Sequence, residues 1–175
     1  MTSGPHRRIP LSRQLAWLGL AALIQAVVLP AAPPGFGRPD LLLAFSVATA
    51  LCDGPRRALV FAFCAGLLTD LTSCGPLGPH AALDLLAARA AIYVRSVLFV
   101  HRPLFQLELA LGLTTAKSFV YLTGLALACP HAFTLRATGA SLQSAFVGAL
   151  AVPALSLAMG GLPAPAAPSS EGEGA

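Results

Sequence analysis

The sequence predicts an all-α, polytopic membrane protein, a compact bundle of about six transmembrane helices. Three observations predict it. Of its 175 residues, 56% are apolar and only 10% are charged, whereas a water-soluble domain carries about 25% charged residues. The apolar residues lie in long blocks rather than in a stripe along one helix face, the pattern expected where lipid is the solvent. Between the blocks stand short segments rich in Pro, Gly and Arg, which interrupt helices and mark the membrane surfaces. A soluble enzyme is excluded.

Residues 1–14 form a polar, basic tail with Arg7, Arg8 and Arg13, followed by a first apolar block over 15–32. A basic head before an apolar run also describes a signal peptide, but the span-length run and the further blocks behind it favour an uncleaved helix. The loop from Pro33 to Asp40 is rich in breakers. Two shorter blocks, 41–53 and 58–71, are joined by Asp53-Gly54-Pro55-Arg56-Arg57. Each is below the about 20 residues that cross a bilayer upright. A re-entrant hairpin would hold Arg56 and Arg57 at membrane depth, at roughly 2.5–3.5 kcal/mol each. Two full spans, lengthened by flanking residues, are the expectation. The turn-rich loop Thr72–His80 leads to a fourth span, 81–100, and His101-Arg102-Pro103 separates it from a fifth, 104–128. The sixth span, 140–162, carries Pro153, and the tail 163–175 has nothing to bury and is expected to be disordered.

Charge sets the orientation. The net charge of +4 comes from arginines placed just outside apolar blocks, with no aromatic-interleaved basic patch, so nucleic acid is not an expected partner. With six crossings and the N-terminus in the cytoplasm, Arg7, Arg8, Arg13, Arg56, Arg57, Arg95 and Arg102 fall inside, and only Arg38 and Arg136 outside. This obeys the positive-inside rule. Both termini are expected to be cytoplasmic.

Charges within spans are expensive in hydrocarbon unless paired. They are Asp70, Asp84, Arg89, Glu108 and Lys117. At about 1.5 Å of rise per residue, Asp70, Asp84, Arg89 and Lys117 share the outer half of the membrane. The expectation is a structural ion-pair network of two acids and two bases; the alternatives are a polar ligand pocket and contact with lipid headgroups. Glu108 lies near the inner end, nine residues from Lys117 and on the opposite side of the helix.

No Ser/His/Asp or Cys/His arrangement, phosphate-cradling Gly motif or HExxH is present, and no cofactor is expected. His80 and Asp84 share a helix face as a ligand pair could, but a local hydrogen bond or capping is the commoner use of that spacing. The cysteines Cys52, Cys64, Cys74 and Cys129 match no zinc pattern. Cys74 and Cys129, both assigned to outer loops, are a possible disulfide.

The stretch from Arg38 to Tyr93 resembles MreD, the small membrane protein of the bacterial rod-shape system. The likeness lies in Arg38-Pro39-Asp40-Leu41 opening the second span and Gly66-Leu67-Leu68-Thr69-Asp70-Leu71 closing the third. Leu77-Gly78 with its following apolar run, and Tyr93, extend it. Ala62 stands where that family often has a first glycine, and Arg89 inside the fourth span departs from its pattern. The resemblance implies a non-enzymatic inner-membrane scaffold beside an MreC-like protein, a RodA-type glycosyltransferase and a penicillin-binding transpeptidase, with MreB filaments linked indirectly. It also implies the architecture of the substrate-binding subunits of energy-coupling-factor vitamin transporters, and such a subunit is the alternative function. A third class, an enzyme acting on lipid, would need Asp70 or Asp84 as a base. Arg38, Asp40 and Asp70 are expected to hold the shape of interaction surfaces. Gly66 and Gly78 are expected to permit a close helix approach and a tight outer turn.

Overall fold

A computed structural model describes residues 9–31, 38–73, 77–97, 103–128 and 135–159 of the chain. Among these residues every regular element is helical: α1 (Leu11–Leu23), α2 (Leu41–Cys52), α3 (Pro55–Thr72), α4 (Pro79–Val97), α5 (Pro103–Ala128) and α6 (Leu135–Ala158). Proline opens α3, α4 and α5, where its fixed φ suits the first turn and its missing N–H leaves nothing unsatisfied. After α1 the chain passes through a wider π turn, Ile24–Val28, and a short 3-10 turn, Leu29–Ala31. Pro30 explains the change of register, since it has no amide hydrogen to give the carbonyl four residues earlier.

The helices begin and end close to the expected spans, with two shifts. α1 starts at Leu11, so Arg13 and Gln14 belong to the helix rather than to a polar tail, and Gln14 is buried. α6 starts at Leu135, earlier than the sequence expectation, so Arg136 lies within it. The ends of the chain, the expected tail at 163–175, and both Cys74 and Cys129 lie outside the described residues.

α2 is the centre of the bundle. It packs against α3, α6, α4 and α1, and α3 and α4, like α5 and α6, pair closely. Every residue from Leu42 to Ala50 is buried. A helix enclosed on all sides has no polar face, and the two hydroxyls in this segment, Ser46 and Thr49, donate to carbonyls of their own helix. Phe45 meets Phe61 of α3 edge to face at 5.9 Å, and alanines such as Ala44, Ala48, Ala62 and Ala88 let the axes approach.

The buried ends of α2 need partners for the backbone groups left unpaired there. At its N-terminus the Leu43 amide donates to Asp40 Oδ1 at 3.0 Å, and the Leu42 amide donates to Gln25 Oε1 at 3.0 Å. At its C-terminus the Arg95 guanidinium, reaching over from α4, donates to the carbonyls of Ala50, Leu51 and Asp53 at 2.7–3.0 Å. Carboxylate at the positive end and guanidinium at the negative end also complement the helix dipole. Gln14 Nε2 donates to Asp53 Oδ2 at 2.6 Å, tying α1 to the same turn, and Arg13 donates to the Ala158 carbonyl at the end of α6.

The surface and the interior each mix polarities. Large apolar side chains are exposed along the helices, among them Val60, Leu86, Phe119 and Leu157, while Asp70, Asp84 and Lys117 are buried.

Candidate functional site: a buried ion-pair cluster

At the end of the bundle opposite Asp53, three elements converge on one lysine. Lys117, on α5, projects inward and is 7% exposed. Its ammonium donates to Asp40 Oδ2 at 2.5 Å and to Asp84 Oδ1 of α4. Asp84 is fully buried, and its Oδ2 has no hydrogen-bond partner among the described residues. One base thus bridges two acids and ties the start of α2 to the middle of α4 and α5. The association is charge-assisted, and its Lys117–Asp84 half is enclosed, the setting in which such bonds are strongest, while the Asp40 side chain is 27% exposed.

Asp40 belongs both to this cluster and to the α2 cap. Burial raises its pKa, but the Lys117 charge, the hydrogen bond to it and the Leu43 amide outweigh burial and hold Asp40 below the ordinary carboxylate value. One side chain therefore couples helix capping to an interhelical ion pair.

Asp70, at the end of α3, does something different. Its Oδ2 accepts from the amides of Gly78 and Ala81 at 2.9 and 3.1 Å, and its Oδ1 from that of His80 at 3.1 Å. It serves as an N-cap supplied from another helix, satisfying amides that α4 cannot pair internally. Gly78 permits the geometry because its φ is +114°, which side-chain-bearing residues rarely adopt. Gly66 sits where α3 and α4 cross: a Cβ there would meet the backbone of Ala81 and lie 2.7 Å from the His80 carbonyl oxygen.

His80 packs its ring against Tyr121 of α5, with centroids 4.6 Å apart. Burial, reinforced by the Lys117 charge, holds its imidazole below the ordinary histidine value, against the opposing pull of Asp40 and Asp70. Its Nδ1 has no hydrogen-bond partner among the described residues.

The expected network of Asp70, Asp84, Arg89 and Lys117 is therefore corrected in its membership. Asp84 and Lys117 pair. Asp70 is satisfied by backbone amides rather than by a base, and Arg89 points away from the cluster on the exposed face of α4. Asp40 takes the vacant acidic place. Arg38, next to it, is exposed. Sequence reasoning missed the caps supplied by Gln25 and Arg95 and the tie from Gln14 to Asp53; the only signal for Arg95 was a cation in the last turn of α4, which a positive-inside count assigns to water.

Among the described residues the cluster has acids, a base and an imidazole; most of its polar atoms pair with one another or with helix ends, while Asp84 Oδ2 and His80 Nδ1 have no hydrogen-bond partner. Among the described residues no group of three His, Cys, Asp or Glu side chains is placed to hold a metal ion. The cluster's contacts tie α2, α4 and α5 together. Asp70→Ala is expected to destabilise the fold by about 2–3 kcal/mol, through loss of the cap and of partners for enclosed amides. Asp70→Asn, which keeps one acceptor oxygen, is expected to lose less; thermal unfolding in detergent checks both. The chain matches no family model, no curated protein and no solved structure.

Proposed function

We propose that this chain is a polytopic inner-membrane protein with six crossings and both termini in the cytoplasm, acting as a non-enzymatic MreD-like scaffold. In that role it joins an MreC-like protein and the wall-building glycosyltransferase and transpeptidase to MreB filaments. The observation that carries the membrane reading is that large apolar side chains are exposed along the helices while Asp84 and Lys117 pair in the interior. An apolar outer surface around buried ion pairs is stable in lipid and unstable in water. One segment, Leu11–Ala31, is long and apolar enough to cross a membrane unaided, with mean hydropathy 1.7 over its most apolar window. By itself such a segment is weak support, since signal sequences share those properties.

The 12 residues of α2 rise only about 18 Å, less than the about 30 Å hydrocarbon layer. That shortfall is compatible with a membrane bundle because α2 touches its neighbours on every side. The backbone groups at its two ends are capped by side chains of other elements, Gln25 and Arg95, and by Asp40, so they do not depend on water for partners.

The scaffold role rests on the resemblance through Arg38–Tyr93, and the work done by the shared residues supports it. Asp40, Gly66, Asp70 and Gly78 fix helix ends and a helix crossing, which is the work of residues that maintain a surface for partners. Depleting the protein is expected to turn a rod-shaped host round, with MreC-like protein lost from the wall-synthesis complex. Rods of normal shape and normal wall synthesis after depletion would contradict the role.

A further inference from the structure

Of the charges within the expected spans, two remain outside every interaction described above. Arg89 lies at the middle of the exposed stripe of α4, between Leu86 and Tyr93, which are 65% and 69% exposed. Glu108 lies on the exposed stripe of α5, followed at four-residue intervals by Gly112 and Ala116, both exposed. Among the described residues neither charge has an ion-pair partner; the ion pairs formed there are those of Lys117. In the membrane layout proposed above, on which this inference rests, each would face lipid, where an unpaired charge is costly.

The two charges lie closer in depth than their expected placement in the outer half and near the inner end. α4 and α5 are neighbours, and Asp84 of α4 meets Lys117 of α5. From that contact Arg89 lies five residues further along α4, a rise of about 7–8 Å, and Glu108 nine residues back along α5, about 13–14 Å in the same direction. The difference of about 6 Å is within reach of an arginine side chain. One cation and one anion at similar depth on adjoining helices form a self-complementary face. A second copy in the same orientation, related by a two-fold axis along the membrane normal, sets Arg89 of each copy against Glu108 of the other and satisfies all four charges. Gly112, exposed on the same stripe as Glu108, leaves room on the outer face of α5 for a helix from outside.

We propose that the α4–α5 face is a homodimer interface, closed by two reciprocal Arg89–Glu108 ion pairs within the membrane, with Gly112 and Ala116 allowing the helices to approach. The test uses the full chain in lipid nanodiscs or liposomes, with stoichiometry read by single-molecule photobleaching and native mass spectrometry. The wild type is expected to be dimeric. Arg89→Glu and Glu108→Arg are each expected to weaken dimerisation at least about tenfold, and the double exchange to restore it. Gly112→Leu, which leaves both charges in place, is expected to weaken it as well. A membrane-embedded wild-type monomer, or single exchanges that dimerise as tightly as wild type, would overturn the interface while leaving the membrane layout intact. Release of the chain from membranes by alkaline carbonate would overturn the layout, and the interface with it.

Discussion

Lys117→Met is expected to destabilise the bundle by about 3–5 kcal/mol, the loss that follows when one partner of a buried ion pair is removed and the other charge is stranded. Two carboxylates are stranded here, Asp40 and Asp84, and Asp84 is completely enclosed. Methionine matches the lysine stem in length, so the loss reads the charge rather than a cavity. The double variant Lys117→Met/Asp84→Asn removes one of the stranded charges. It is expected to recover part of the loss, a non-additivity that residues in one network display. Thermal unfolding in detergent micelles measures both. A Lys117→Met protein as stable as wild type would mean that the cluster does not hold α2, α4 and α5 together.

Gly66→Ala is the second large effect. The added methyl group would overlap the Ala81 backbone and stand 2.7 and 2.8 Å from the His80 oxygen and Ala81 nitrogen. These atoms belong to the first turn of α4, which Asp70 ties down through three amides, so they cannot yield as a flexible side chain would. The helices must separate, and a loss of about 1–3 kcal/mol is expected from overpacking. Gly19→Ala, at a helix position where a Cβ meets nothing within 4 Å, is expected to be neutral or slightly stabilising, because alanine favours a helix over glycine. The same unfolding measurement distinguishes them; equal behaviour of the two variants would contradict the close crossing.

Much of the helical layout was legible because its signals are local. The length of each apolar block limits the helix it can form, whereas Pro55, Pro79 and Pro103, read as parts of the connecting segments, open α3, α4 and α5, and Asp40, read as a loop residue, caps α2. The candidate site was legible only in part. Depth along a helix follows from residue counting, which brought Asp84 and Lys117 to one level. The direction in which each side chain points does not follow from it, because helices rich in alanine and leucine have little contrast between their faces. Arg89 was thus placed in a cluster that it faces away from, and Asp70 was given a base when backbone amides ten residues along the chain satisfy it. The Asp40–Lys117 pair joins residues 77 positions apart, and nothing local announces it. The same holds for Arg95, whose exposed-looking position in the last turn of α4 hides a cap on the central helix.

The orientation of this bundle in lipid is tested most directly by labelling single cysteines in intact cells with a membrane-impermeant maleimide, in a background with Cys52, Cys64, Cys74 and Cys129 replaced by alanine. Leu77→Cys, in the turn that Asp70 caps, should be labelled from outside, and Arg57→Cys, beside the turn between α2 and α3, only after the membrane is permeabilised. Labelling of Arg57→Cys in intact cells, or equal labelling of both positions, would contradict the account.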